Sequence, residues 1–273
     1  MNVLRKEEKK CINDIWNHYR TMGRHDLPWR KTRDPYRILV SEVMLQQTQV
    51  SRVVEKYKSF LKRFPTARAL AHAPLGEVIR EWQGLGYNRR ARMLHETAKC
   101  IVGERRGIFP STYEELIALP GVGPYTAGAV MAFAWGKAIP LVETNIRTII
   151  IHHFFNDEVD VHDREVIAQV ARILDEKRGR EWYYAMMDYG AYLKRTIGNV
   201  NVRSRHHATQ KPFRGSDREI RGALIKNLLQ NPKTRKSLHK ELPFDAVRID
   251  AQLMRLVAEG MLLKQASRFT LAS

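Results

Sequence analysis

The sequence predicts a mainly α fold on three observations. Apolar residues recur at helical spacing almost throughout, strand-like alternation is scarce before residue 260, and the pattern changes after a polar, basic stretch at 196–215. Ile12, Ile15, Trp16 and Tyr19 form an i, i+3, i+4, i+7 stripe. Val53, Val54, Tyr57, Leu61 and Phe64 form a second, which Pro65 stops. An apolar helix is expected from Tyr36 to Val50, and others at 74–82, 88–105, 112–117, 124–135, 143–154, 163–176 and 180–193. The stretch TIGNVNVRSRHHATQKPFRG, with its two glycines and one proline, reads as loop and linker. After it, Asp217–Leu229, Thr234–Leu242 and Asp245–Glu259 read as three helices, with Gly260 as a stop. Met261–Lys264 and Arg268–Leu271 then read as a hairpin. Three helices and a hairpin are the layout of a winged helix-turn-helix, which binds DNA or docks proteins; the basic helix 246–255 favours DNA.

A chain of 273 residues can bury one substantial core and a small satellite domain. With 44% hydrophobic and 28% charged residues, its composition is that of a soluble globular protein. No apolar run approaches the roughly 20 residues that span a bilayer. The charged stretch Met1–Lys10 lacks a secretory apolar segment. A cytoplasmic address is expected, nucleoid-associated in a bacterium or archaeon, with no membrane partner. Two cysteines, Cys11 and Cys100, are too few for a disulfide framework and read as reduced thiols. The net charge of +18 points to a polyanion, and duplex DNA carries a charge about every 1.7 Å. A ribosomal or membrane-surface partner would answer the same charge.

Three segments carry chemistry. In LPWRKTRDPYRILVSEVMLQQTQV (27–50), Glu42 is flanked by Val40, Val43 and Leu45. Desolvation there raises a carboxyl pKa and keeps a proton available for general-acid work. A surface glutamate, or one bonded to a neighbouring helix end, fits the same pattern. In PGVGPYTAGAV (120–130), Gly121 and Gly123 allow a tight turn before a helix starting at Pro124. The free N–H groups of that helix start can meet a phosphate. Followed by the small-residue helix TAGAVMAFA, this is a helix-hairpin-helix signal. In LVETNIRTIIIHHFF (141–155), Glu143 and Asn145 open a helix with Ile146, Ile149 and Ile150 on its apolar face. Glu143 there reads as a helix cap or as a second carboxylate facing a pocket.

Together these segments resemble the helix-hairpin-helix DNA glycosylases, and within them the MutY-like adenine glycosylases, over about residues 24–194. SEVMLQQTQV, WQGLGYNRRARMLHETA, LPGVGPYTAGA and WYYAMMDYGA occur in that family's order. The resemblance implies a two-lobed helix-hairpin-helix glycosylase core over 1–213. One lobe of six helices would span about 30–140, and the second 1–29 with 141–213. A winged-helix-like domain at 214–273 would stand where the family has its 8-oxoguanine-reading domain. It also implies removal of adenine mispaired with 8-oxoguanine or guanine in double-stranded DNA, by a monomer that flips the nucleotide out. Glu42 would protonate the departing purine, and Glu143 would stabilise the cationic sugar. Tyr125 stands where bifunctional relatives carry a lysine nucleophile, which implies base removal without strand nicking. Asn145 would orient the sugar or phosphate, and Leu27, Trp29, Arg30 and Asp188 would line the base pocket. Plain core is an equal reading for Leu27 and Trp29. Gln47 would wedge into the stack. Arg89, Arg90 and Arg92 would meet phosphates, a solvated helix charge being the alternative.

The chain departs from that family in three places. Glu143 stands where the family has aspartate, and its extra methylene displaces the charge by about 1.5 Å, where a 1 Å misplacement costs about a hundredfold in rate. Asn88 replaces a tyrosine that stacks beside the damaged guanine, a loss of about 1–3 kcal/mol of base contact. Lys194, Asn201, Ser204 and Gln210 occupy the positions of four iron–sulfur cysteines, so no cofactor and no metal is expected. Arg203, Arg205, His206 and His207 would keep that loop basic. The rival readings are a glycosylase of this fold for thymine or uracil opposite guanine, and a non-catalytic DNA-binding protein.

Overall fold

The structure, a computed structural model, describes residues 4–209 and 212–272. Its helices are α1 (Lys6–Met22), α2 (Pro35–Leu45), α3 (Val50–Arg63), α4 (Ala67–His72), α5 (Leu75–Trp82), α6 (Arg89–Gly103), α7 (Tyr113–Ile117), α8 (Pro124–Trp135), α9 (Thr144–Phe154), α10 (Asp163–Ile173), α11 (Gly179–Thr196), α12 (Asp217–Leu228), α13 (Arg235–Glu241) and α14 (Ala246–Ala258). Strands β1 (Lys233–Thr234), β2 (Leu262–Gln265) and β3 (Arg268–Leu271) form one antiparallel sheet in the order β1-β3-β2. Single 3-10 turns lie at Pro28–Lys31, Glu176–Arg178 and Val200–Arg203.

The helix expected to run to Val50 ends at Leu45. Gln47 takes φ 54°, and the Arg90 guanidinium donates to the carbonyls of Val43 (2.8 Å), Met44 (3.1 Å) and Gln46. Those carbonyls would have served the next helical turn, so a side chain more than forty residues away caps the helix. Two elements were not foreseen. Thr66 caps α4 by accepting from the Ala69 amide at 3.1 Å. Strand β1 pairs Lys233 with Phe269 and Thr234 with Arg268.

The chain forms two compact units. One comprises Met1–Glu42, Pro110–Ala118 and Val122–Thr209; the other comprises Val43–Phe109, Leu119–Gly121 and Gln210–Ser273. These units cut across the expected lobes at 30–140 and at 1–29 with 141–213. Packing explains the division. In the first unit Phe133 of α8 stacks on Tyr184 of α11 with ring centroids 4.5 Å apart, which ties 122–140 to the later helices. In the second unit Arg218 donates to the Tyr87 hydroxyl at 2.6 Å, and Arg80 to the Leu229 carbonyl at 3.3 Å. Residues 212–272 therefore belong with 43–109.

In the first unit every residue from Thr126 to Ala134 is buried, so α8 has no polar face to display. Ile146, Ile149, Ile150 and Ile151 of α9 pack in the same core as Trp182, Tyr183 and Met186 of α11 and Cys11 and Ile15 of α1. A Cβ at Gly190 of α11 would collide with the backbone of Asn145, so this glycine sets how closely α11 approaches the start of α9. In the second unit Phe60 lies edge-on to Phe64 and to Trp82, at centroid separations of 5.0 and 5.9 Å. Among the described residues no helix is long and apolar enough to cross a membrane.

Two glycine substitutions should act in opposite directions. Gly190→Ala is expected to destabilise by about 1–3 kcal/mol through overpacking. Gly222→Ala, inside α12 with nothing within 4 Å of the added carbon, is expected to stabilise by about 0.5–1 kcal/mol. Urea unfolding of both variants checks this, and equal signs would overturn the packing account.

Candidate active site

Helix α2 brings Glu42 into the first unit between Ser41 and a run of buried apolar residues, leaving it 4% exposed. Among the described residues one donor reaches it: the Tyr125 hydroxyl, from the first turn of α8, donates to Oε2 at 3.0 Å. Burial pushes the Glu42 carboxyl up to about 7; the phenol bond and Arg30 oppose this, and the nearby Glu143 carboxylate adds to it. The Tyr125 phenol is itself driven far above its ordinary value by burial and by the two carboxylates, so it remains a donor. With Oε2 engaged by the phenol, Oε1 can carry the proton when the carboxyl is neutral.

Glu143 is half-buried and caps α9. Its Oε1 accepts from the backbone amides of Asn145 (2.8 Å) and Ile146 (3.0 Å), and its Oε2 from the Asn145 side chain at 3.3 Å. Burial raises its pKa, and the two amides, Arg147 and the Asn145 side chain offset only part of that rise, so it stays above the usual glutamate value. The cap reading and the second-carboxylate reading therefore describe the same side chain. Glu42, Tyr125, Glu143 and Asn145 converge in one unit.

Asp188 and Arg30 meet each other. The buried Asp188 carboxylate accepts a bidentate pair from Arg30 at 2.7 and 2.8 Å, together with the Arg24 amide at 2.9 Å and its guanidinium at 2.6 Å. Burial alone would raise its pKa, but these cations hold it below the usual aspartate value. Arg30 also lies 4.4 Å from the centre of the Tyr184 ring. Arg180 braces the same loop, donating to the carbonyls of Arg30 (2.8 Å) and Thr32 (2.6 Å). The loop carries Trp29, 4% exposed, and the half-buried Leu27. Sequence reasoning missed Arg24, Arg180 and Tyr184. The last two had a signal, because Arg180, Tyr184 and Asp188 recur every four residues along one face of α11.

Of the remaining candidates, Gly123 belongs to the first unit, and Gln47, Asn88, Arg89, Arg90, Arg92 and Gly121 belong to the second. Gln47, Asn88, Arg89 and Gly121 line a cavity of about 810 Å³ together with Tyr87 and Arg218. Gly121 has φ 75°, and a Cβ there would strike Met93, so the hairpin requires glycine at this position. Gly123 is ordinary extended backbone and caps α8 ahead of Pro124. Arg92 is absent from the cavity wall and lies against Gly260. Arg90 departs from its expected phosphate role, because its guanidinium is spent on carbonyls, including Leu85 and Gly86 at 3.2 Å each. In α14, Arg248 and Arg255 are paired with Asp217 at 2.8 and 3.3 Å.

The loop at 194–210 does not suit a four-thiolate iron–sulfur centre. Lys194 is exposed, and the buried Asn201 and Ser204 are bonded to protein groups; Gln210 lies outside the described residues. Arg203, expected to face DNA, instead donates to the carbonyls of Phe155 (3.0 Å) and Ile151 (3.4 Å) at the end of α9. Among the described residues no group of three or more His, Cys, Asp and Glu side chains is arranged to hold a metal.

Residues 40–176 match the family described as HhH-GPD superfamily base excision DNA repair protein. The chain is 34% identical over 278 residues to the adenine DNA glycosylase of Mycolicibacterium smegmatis, with 92% of each chain covered. It is 42% identical over 140 residues to the adenine DNA glycosylase of Buchnera aphidicola subsp. Baizongia pistaciae, and there spans 40% of that protein and 51% of its own length. Among solved structures it is similar to a thermostable thymine-DNA glycosylase, with a TM-score of 0.61, 28% identity, and coverage of 68% of this chain and 87% of that one.

Burial of Glu42 has a measurable cost in stability. Its carboxyl titrates near 7 when folded and near 4.5 when unfolded, so the folded state binds the extra proton between those values. Stability on this account falls as pH rises from 4.5 to 7, and the loss persists above 7. Glu42→Gln removes the titration, so its gain in thermal stability should be larger at pH 8 than at pH 5. Each pH step of one between the two pKa values contributes at most about 1.4 kcal/mol. Equal gains at both pH values would rule out the titration as cause.

Proposed function

This chain belongs to the HhH-GPD superfamily of base excision DNA repair proteins, and we propose that within it the chain is a monofunctional glycosylase that hydrolyses the N-glycosidic bond of mispaired adenine in duplex DNA. One observation carries this reading. A buried carboxyl, its pKa pushed up to about 7 and bonded by the Tyr125 phenol, lies close enough to feel a second carboxyl group that is bonded to backbone amides. The relatives named adenine DNA glycosylase support the choice of base.

The chemistry follows from those two environments. Glu42 donates its proton to N7 of adenine, and the C1′–N9 bond breaks with its electron pair leaving on the base. The deoxyribose passes through an oxocarbenium-like state that the Glu143 carboxylate stabilises. Water adds at C1′ while the Glu42 carboxylate takes its proton, which leaves an abasic site and restores the acid. Tyr125 orients the acid and offers no amine for a Schiff base. Asn145 meets the sugar or phosphate from the start of α9. The excess of cationic residues draws the duplex in, with 47 Lys and Arg against 29 Asp and Glu. The 8-oxoguanine or guanine opposite is the mispair this reading assigns. Residues 212–272 serve as a winged-helix-like domain.

A gel assay of single turnovers across duplexes with adenine, thymine or uracil in mispairs decides the base. Adenine release is expected, with strand scission only after alkali. The rate should fall tenfold per pH unit above about pH 7 as Glu42 loses its proton. Glu42→Gln is expected to lower the rate by at least about a thousandfold while leaving the Kd for DNA within threefold. Release of thymine or uracil alone would replace this reading with the rival glycosylase. Inactivity of the wild type on every duplex would leave a DNA-binding protein.

A further inference from the structure

The buried Asn201 is not among the residues given a role in the reaction. It is 3% exposed and lies in the 3-10 turn Val200–Arg203. Its Nδ2 donates to the Thr144 carbonyl at 3.2 Å and lies 2.8 Å from the Thr148 hydroxyl, which itself donates to the Thr144 carbonyl at 2.8 Å. A carbonyl can only accept, so the orientation of the amide is fixed. The Oδ1 of Asn201 is equally buried and has no partner among the described residues, so the side chain is held by what its amide donates. Thr144 immediately follows Glu143, and the amides that Glu143 caps belong to Asn145 and Ile146. Asn201 therefore grips the same helical turn that Glu143 grips, through the Thr144 carbonyl and the Thr148 hydroxyl where Glu143 uses the amides. Farther along, Arg203 holds the last carbonyls of α9, and Val161 pairs with the backbone of Arg203 and Arg205 at 3.0 and 3.1 Å. The loop whose residues do not suit a metal cluster is thus fastened to α9 near both ends by side chains.

We propose that Asn201 is a positioning residue for base excision, which fixes the first turn of α9 and thereby the place of the Glu143 carboxylate. The proposal rests on the role given to Glu143 above. Position matters because charge stabilisation of a cationic sugar falls off within ångströms, and Glu143 reaches its place on a long side chain whose anchor is this turn. Gly190 closes the same turn from α11, against the Asn145 backbone, and the Asn201 contact adds a polar tie from outside α9.

Two measurements on Asn201→Ala test this, one independent of catalysis. Residue-resolved amide exchange should quicken about tenfold at Asn145 and Ile146 while α1 stays unchanged. The second measurement compares affinity for a duplex carrying a cationic pyrrolidine at the target sugar with affinity for one carrying neutral tetrahydrofuran. The wild type should prefer the cation by about a hundredfold, and the variant should lose about tenfold of that preference with the neutral duplex bound as before. Arg203→Ala, which loosens only the far end of α9, should keep the preference. If Asn201→Ala does not fold, Thr148→Val removes one of the two α9 groups that Asn201 bonds, and the same two shifts should appear in the same direction. Unchanged exchange at Asn145 and Ile146 overturns the proposal, as does an equal loss for both duplexes. A wild type with no preference for the cation instead overturns the role of Glu143 and the positioning built on it, whatever the exchange shows.

Discussion

Burial of the Glu42 carboxyl, opposed by one phenol hydrogen bond from Tyr125, sets the terms for everything around it. A carboxyl removed from water holds its proton until a cation or several donors offset the lost hydration. The neighbourhood contains such a cation in Arg30, which lowers the Glu42 pKa. Its influence is checked because Asp188, as buried as Glu42, takes both ends of the guanidinium. The Arg30–Asp188 pair can therefore hold the Leu27–Trp29 loop without forcing Glu42 to ionise. Tyr125 contributes in the same restrained way, as a neutral donor that orients the carboxyl and leaves one oxygen for chemistry.

Glu143 shows how the same side chain takes the opposite task. It is also withdrawn from water, yet two backbone amides and an asparagine side chain surround its oxygens. Donors of that kind favour the charged form, and the start of α9 adds its partial positive charge. Burial lifts both glutamates above their usual value, and the donors around Glu143 oppose that rise with more bonds than the single phenol gives Glu42. The longer side chain at 143 folds back onto its own helix and caps it.

Local features of the sequence foretold what local physics decides. The glycine hairpin, the proline opening α8 and the carboxylate opening α9 each act within a few residues, and each is found where spacing put it. The desolvation of Glu42 was legible from its apolar neighbours on α2. What escaped were ties between residues far apart in the chain. Nothing near Asp188 announces Arg24, 164 residues earlier, and nothing near Gln46 announces that Arg90 ends its helix. Asn201 was read only as a missing thiol, since its partners in α9 stand more than fifty residues away. The break after Leu45 was lost for the same reason, because residues 46–49 are polar but helix-compatible until a distant arginine claims the carbonyls.

Arginine bears most of these distant ties, and this alters what the excess of cationic residues means. Arg90, Arg180 and Arg203 each spend their guanidinium on main-chain carbonyls, while Arg30, Arg248 and Arg255 spend theirs on aspartates. An arginine bonded to carbonyls keeps its full charge, so it still contributes to the field that draws a polyanion in. It cannot also form the close bidentate contact by which arginine grips a phosphate. The net charge of +18 therefore measures attraction at a distance better than it counts contacts. Arg89, by contrast, is exposed on the wall of the second unit's cavity. Arginine suits both tasks for one reason: its planar fork of five donors can knit backbone that has no strand or helix partner as readily as it can bind an anion.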